Sequence, residues 1–301
     1  MSQNEKNIVS GTKGESTAGM RVGVIGLGLI GGGIAQCFAR HGRALSVYDI
    51  RSDATQALQD VPPVLESPGA VALQSDVVIV AVVTTEQVAA VLKGPNGILA
   101  SAGPELVVVI VSTIAVSALL ELAEEARQHG VHLIDAGVTP GDKAASDGLV
   151  ALAGGDDAVI ESIRPILAEF SSLVLHMGPL GSGMAAKIAR NIITYGVWHI
   201  VYEAGLLAEK AGIDLRRLVE AVRASDPQGN YATSHLQRRG TVAPIEPDDT
   251  AARARAAYIA NLLHKDLEAA LALADSLKVH LPAVSVVISQ MDQMLGLKER
   301  T

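Results

Sequence analysis

The chain has 301 residues, 49% of them hydrophobic and 19% charged, with a formal net charge of −8. That length is enough for two domains with their own cores, and the acidic balance argues against nucleic-acid binding. No run of about 20 apolar residues free of glycine and charge marks a membrane span, and the single cysteine, Cys37, excludes an intrachain disulfide framework and a cysteine-rich metal site.

Residues 1–19 are polar and rich in Gly and Ser, without an apolar h-region. They read as a disordered tail rather than a signal peptide, and a cytoplasmic location is expected. Residues 20–25 are an apolar run suited to a buried parallel strand. They lead into Gly26-Leu27-Gly28-Leu29-Ile30-Gly31, and a helix is predicted from Gly32 onward, with Cys37 as a small buried filler. Strand, glycine turn and helix in this order form a dinucleotide fingerprint. Gly26 permits the tight turn, Gly28 lets the backbone approach a pyrophosphate, and Gly31 allows close helix–strand packing. The phosphates then meet the free N–H groups at the helix N-terminus.

A second strand over 44–48 ends in Asp49, followed by Ile50 and Arg51. An acid at that position accepts hydrogen bonds from the ribose hydroxyls of NAD and repels the 2′-phosphate of NADP. Arg51 is a counter-signal, since its guanidinium pairs well with such a phosphate. NAD is therefore the expected cofactor, with NADP possible.

Strand and helix go on alternating. Strands are predicted over 76–83, 106–111, 131–136, 149–153 and 173–177, and helices over 84–92, 117–128 and 157–170. This alternation indicates a doubly wound α/β sheet of Rossmann type. Ligands lie at the carboxyl ends of such strands. Val82, Val83, Thr84, Gln87 and Thr113 are thus expected at the cofactor, and the loop Thr139-Pro140-Gly141 beside it.

After Met177 no strand is predicted, only helices: 184–211, 215–224, a short one over 231–239, 251–277 and 282–295. The expected domains are 20–178, dinucleotide-binding, and 179–301, a helical substrate and dimerisation domain. The first of these helices carries Lys187 and Asn191, four residues apart on one face. A plain reading has Lys187 snorkelling to water. Tyr231 and His235 share a possible helical face and are candidates to line a substrate pocket. His129 and His132 read as surface residues, and no metal site is expected.

With these motifs in view, the chain resembles the β-hydroxyacid dehydrogenase family, which includes 3-hydroxyisobutyrate dehydrogenase and, more distantly, 6-phosphogluconate dehydrogenase. The resemblance spans about residues 20–298. The family's GLGxMGxxM is similar to residues 26–34, its DAPVSGG to 135–141, and its GxGxxxKxxNN to 181–191. It implies a catalytic lysine at Lys187, a substrate-binding asparagine at Asn191, and a lysine that reaches the cofactor at Lys265, within Lys265-Asp266. It implies further a Rossmann-type domain followed by an all-helical one, and a homodimer or homotetramer.

The departures bear on the substrate. Thr139-Pro140-Gly141 replaces Ser-Gly-Gly, and Pro140 removes one backbone donor. Gly137 and Val116 replace prolines of the family. Arg190 stands where the family has Asn, or His in the phosphogluconate enzymes. Thr139, the backbone at Gly141, and Arg190 are the expected grip on a substrate carboxylate. The reaction implied is hydride transfer between a nicotinamide and a small 3-hydroxy acid or its semialdehyde, with Lys187 as general acid and base. Imine reduction, in a related group that usually lacks the lysine, and a non-catalytic NAD-binding sensor module are the alternatives.

Overall fold

The computed structural model describes residues 19–234, 239 and 241–298. Residues 1–18, His235 and the side chain of Tyr231 lie outside the described residues. The chain divides between Arg190 and Asn191 into two compact units.

The first unit is a seven-stranded sheet in the order β2-β1-β3-β4-β5-β6-β7. Its strands are β1 (Val22–Ile25), β2 (Leu45–Tyr48), β3 (Val77–Val80), β4 (Val107–Ile110), β5 (His132–Thr139), β6 (Leu149–Gly154) and β7 (Ser171–Gly178). The first five run parallel, β6 is antiparallel to β5, and β7 is parallel to β6. The strand order reverses beside β1, between β2 and β3, which is the switch point where doubly wound sheets bind ligands.

β1, β3 and β4 read VGVI, VVIV and VVVI, and every residue in them is buried. Alternate side chains feed two cores. On one face Val22, Val24, Val77, Ile79 and Val109 pack with Ile34 and Phe38 of α1 (Leu29–Arg40) and with Phe170. On the other face Val78, Val80, Val108 and Ile110 pack with helices α3 (Thr85–Lys93) and α5 (Val116–Gln128). Phe38 and Phe170 meet edge to face at 5.7 Å. Cys37 is buried in the first of these cores.

Several elements differ from the sequence reading. In place of a loop after residue 136, residues 137–139 extend β5, because 135–139 pair with 150–154 of β6. The strand expected over 173–177 runs from Ser171 to Gly178, and at the sheet edge it exposes Leu173, Leu175 and Met177. Two short helices were missed, α2 (Pro68–Leu73) and α4 (Ile98–Ser101). Ser67 caps α2 and Pro68 opens it, a start signal too short-lived to show as periodicity. α6 (Asp157–Leu167) ends before Phe170.

The second unit is helical. α7 (Ser182–Lys210) starts in the first unit and continues into it, followed by α8 (Leu215–Ser225), a 3-10 turn (Tyr231–Thr233), α9 (Thr250–Leu277), α10 (Pro282–Ser289) and α11 (Met291–Met294). The helix predicted over 282–295 is thus two. Gln290 leaves helical geometry at φ −102°, ψ 2°, and this turns Met291 and Leu295 into a small core with Ala256 and Ala260. Glu203 of α7 is buried, and its carboxylate accepts the N–H groups of Ala283 and Val284, fixing the start of α10.

Candidate active site

The glycine turn is built as the sequence implies, and each glycine has its own reason. Gly26 has φ +88°, and a Cβ there would lie 2.6 Å from the Ala81 carbonyl oxygen. A Cβ on Gly31 would collide with the Gly26 carbonyl oxygen, whereas at Gly28 it would meet nothing within 4 Å. Gly28 therefore faces open space that a ligand can approach. α1 begins there with no side-chain cap and no acid in its first turn. The N–H groups of Leu29, Ile30 and Gly31 have no acceptor within the helix. An uncapped helix start without acid is suited to a pyrophosphate.

A cleft of about 500 Å³ opens beside this turn. It brings together Gly26, Gly28, Asp49, Ile50, Arg51, Val82, Val83 and Gln87 of the predicted cofactor residues. It also takes in Tyr48, Ser67 and Asn96, which the sequence reading did not single out. Ile50 and Val83 are 84% and 82% exposed, apolar walls that suit the flat faces of an adenine. Gln87 closes a capping box: its side chain accepts from Val83 and Thr84 N–H, and Thr84 caps α3 in return. Thr84 and Thr113 lie beyond the carboxyl ends of β3 and β4, outside the cleft lining.

Asp49 is not a free carboxylate. Its Oδ2 accepts the Leu27 N–H at 2.7 Å, and its Oδ1 accepts Arg51 N–H and Nε, each at 3.0 Å. Leu27 thus spends its N–H on the loop itself and buries its side chain. Burial pushes the Asp49 carboxyl up, but Arg51 and the two backbone N–H groups outweigh it and hold the carboxyl below the usual range. The Arg51 guanidinium stays 58% exposed.

At the carboxyl end of β5 stands Lys187. Its Nζ donates to the Val138 carbonyl at 2.7 Å. The side chain is half-buried, and burial, then the nearby Arg190 charge, lowers its pKa below that of a free lysine. Gly137 makes this approach possible, since a Cβ there would run into the Lys187 Cβ. Thr139 closes β5, the Thr139–Pro140 peptide bond is cis, and Gly141 opens a 3-10 turn (Gly141–Lys143) packed against Ile30. Because β1 and β5 run the same way in the sheet, their carboxyl ends, with the glycine turn and Lys187, lie along one edge.

The other predicted residues belong to the second unit. Asn191 follows Lys187 by one turn of α7 and begins the second unit. Lys265, on α9, is exposed and pairs with Asp266 at 3.3 Å. Tyr231 has only its backbone described. Asp135 has a role that its place in the 135–141 motif does not announce. This carboxylate is fully buried and accepts N–H groups from the start of α7. Its signal was an acid inside an otherwise apolar strand.

Comparison with known proteins bears on the same residues. Residues 21–178 match the NAD binding domain of 6-phosphogluconate dehydrogenase, and residues 181–300 match the NAD-binding region of NADP-dependent 3-hydroxyisobutyrate dehydrogenase. The chain belongs to the β-hydroxyacid dehydrogenase family. An uncharacterized oxidoreductase of Mycobacterium tuberculosis is 33% identical to this chain over 277 residues, 92% of this chain and 93% of that one. The 2-hydroxy-3-oxopropionate reductase of Escherichia coli is 31% identical over 218 residues, 72% and 73% of the two chains. A crystal structure described as an oxidoreductase from Mycobacterium avium 104 superposes with a TM-score of 0.82 at 30% identity, covering 93% of this chain and all of the other. An imine reductase from Myxococcus stipitatus shares the fold at 19% identity, with a TM-score of 0.73 over 91% and 93% of the chains. As a member of the family the chain is an NAD(P)-dependent oxidoreductase of the hydroxyacid dehydrogenase type. Among the described residues no cluster of three or more His, Cys, Asp or Glu offers a metal site, and no helix is long and apolar enough to cross a membrane.

Proposed function

We propose that this chain transfers a hydride reversibly between NAD(P) and a small 3-hydroxy acid or its semialdehyde, with Lys187 as general acid and base. The observation that carries the reading is the lysine itself. It is half-buried, anchored on the Val138 carbonyl, and stands at the same sheet edge as the uncapped glycine turn. A bound nicotinamide supplies or accepts the hydride. In reduction, the Lys187 ammonium gives a proton to the carbonyl oxygen of the substrate. In oxidation, its neutral amine takes the hydroxyl proton. Burial, then the Arg190 charge, lowers its pKa, the direction that eases release of its proton and so its service as a base.

The remaining roles are assigned on the same reading. Asn191 orients the reacting oxygen. Thr139, the Gly141 N–H and Arg190 hold the carboxylate, with Pro140 withholding the donor that a non-proline residue would offer. Gly26, Gly28, Leu29, Ile30 and Gly31 receive the phosphates. Asp49, Ile50, Arg51, Val82 and Val83 receive the adenosine, and Thr113 and Lys265 contact the cofactor. The first domain, 20–178, binds the dinucleotide, and 179–301 is the helical substrate and dimerisation domain. NAD is preferred over NADP. The relative named for 2-hydroxy-3-oxopropionate supports a short aldehyde acid as substrate class.

Initial rates with a panel of C3 to C6 semialdehydes and 3-hydroxy acids, followed by NAD(P)H absorbance, test this. Turnover of at least one panel member that is lost in Lys187→Met is the expected result. Reduction of cyclic imines with no turnover of any hydroxy acid or semialdehyde would move the chain to imine chemistry.

A further inference from the structure

We propose that Asp135 is a positioning residue for Lys187: its buried carboxylate fastens the first turn of α7 to β5 and so fixes where the lysine Nζ stands. This rests on Lys187 being the proton donor of the proposed reaction.

The attachment has three points along four residues of β5. Asp135 Oδ1 accepts the Gly181 N–H at 2.7 Å and Oδ2 the Met184 N–H at 2.5 Å. Gly137 lies against the Cβ of Lys187, and the Val138 carbonyl takes its Nζ. Gly154, paired with Asp135 across β5 and β6, is part of the same device. A Cβ there would come within 2.5 Å of Asp135 Oδ1 and 2.7 Å of the Gly183 N–H.

The helix cannot supply this anchor itself. Gly181, the residue before α7, has no side chain to cap the first turn. The connection from β7 turns at Gly178 and Gly181, whose φ values of +129° and +91° favour glycine, so neither position carries a capping side chain. Asp135 replaces the missing cap from another strand. Charge favours the arrangement, since a carboxylate complements the positive end of the helix dipole. The same carboxylate is fully buried, and burial raises its pKa, opposed by the two N–H groups. A stripped carboxylate in a core is a costly way to make a cap. Met184, also fully buried, already packs α7 on the core. The carboxylate adds directional contacts to the start of the helix, beside the close approach of Gly183 to the β6 backbone.

Register matters because the rise of a helix is about 1.5 Å per residue. A slip well short of one residue already misplaces the Nζ by a distance that costs about 10²-fold in rate. Asp135→Asn keeps the shape but turns an amide N–H₂ towards one of the two donors. Its kcat is expected to fall about 10²-fold, with NAD(P)H affinity of the folded protein unchanged, because the glycine turn and Asp49 are untouched.

The deciding measurement is titration of Lys187 by carbon-13 NMR of ε-labelled lysine in the whole protein, its signal assigned by its absence in Lys187→Met. In Asp135→Asn the lysine should titrate at higher pH than in the wild type, as a loosened helix returns its ammonium to water. Gly137→Ala is the second variant, since it displaces Lys187 without touching the carboxylate, and it should move the same signal. An Asp135→Asn protein that melts earlier but keeps both the wild-type Lys187 titration and the wild-type kcat would overturn the proposal. Full turnover in Lys187→Met would remove the general-acid reading instead, and the NMR titration would still report whether Asp135 places the lysine.

Discussion

Replacing Lys187 by methionine separates chemistry from architecture. Methionine keeps the apolar stem, which lies against Gly137, and deletes the ammonium. Two small effects on stability oppose each other. The hydrogen bond to Val138 is lost, which for a charged donor costs about 1.5–3 kcal/mol. A half-buried charge, already destabilised by burial and by Arg190, is also removed. The melting temperature near neutral pH should therefore move little. Turnover should fall by about 10²- to 10⁴-fold, the worth of a positioned proton donor. NAD(P)H affinity should hold, because Asp49 and the free N–H groups of α1 lie on other elements. Lys187→Arg should not restore activity, since guanidinium does not release its proton, and Asn191→Ala should lose less.

The sign of the pH dependence follows from the same group. The folded protein holds the Lys187 proton less tightly than the unfolded chain, so the unfolded chain carries more protons between the folded pKa and that of free lysine. Wild-type stability relative to Lys187→Met should rise through that window. The rate of oxidation should rise with pH through the folded pKa, and the rate of reduction should fall. Stopped-flow rates in both directions and thermal melts of the two proteins across pH 6 to 11 provide the check. If Lys187→Met keeps more than about a tenth of wild-type turnover, the lysine is not the proton donor. Tyr195 is the next described residue to test, with Tyr231 and His235 after it.

NADH should bind tighter than NADPH in calorimetric titrations of the apo protein, and equal or tighter NADPH binding would mean that Arg51 outweighs Asp49. Gly31→Ala should abolish binding of both, because a methyl group there collides with the Gly26 carbonyl; retained affinity would show that the turn can yield. The protein should sediment as a dimer or larger at micromolar concentration. α8 and α10 bury no residue, and α7 exposes Ile192, Trp198, Val201 and Tyr202, more apolar surface than a stable monomeric unit leaves in water. A stable monomer would reject this.

The sheet was legible because β-branched runs such as VVIV and VVVI leave little alternative to a buried parallel strand. The glycine turn was legible because its spacing carries a mechanism. What stayed hidden depended on partners distant in the chain. Nothing around Gly137 says that it continues a strand, because the partner that makes it one is Leu152 on β6. Gly33 looked like one more helical glycine, yet a Cβ there would lie 2.7 Å from the backbone of 144–145, so it lets α1 seat against the turn that follows Pro140. Asp135 read as a motif letter until the start of α7 arrived over it from 46 residues further on.

The two opposed cofactor signals in the sequence, Asp49 and Arg51, resolve into one device with unequal parts. Asp49 has its side chain 8% exposed and is tied to the glycine turn through the Leu27 N–H, so it cannot swing away without opening that turn. Arg51 is held mainly by Asp49, and its guanidinium faces solvent, where such a pairing is weak. A 2′-phosphate would draw Arg51 off the pair and leave an ionised carboxylate, no longer compensated, beside a dianion in a half-enclosed cleft. The ribose hydroxyls of NAD ask for no such exchange, since they donate to Asp49 while Arg51 stays in place. On the proposed NAD preference, the fixed member of the pair sets it and the mobile one moderates it. For that reason Arg51→Ala should weaken NADPH more than NADH, and removal of the Asp49 charge should narrow the gap between them.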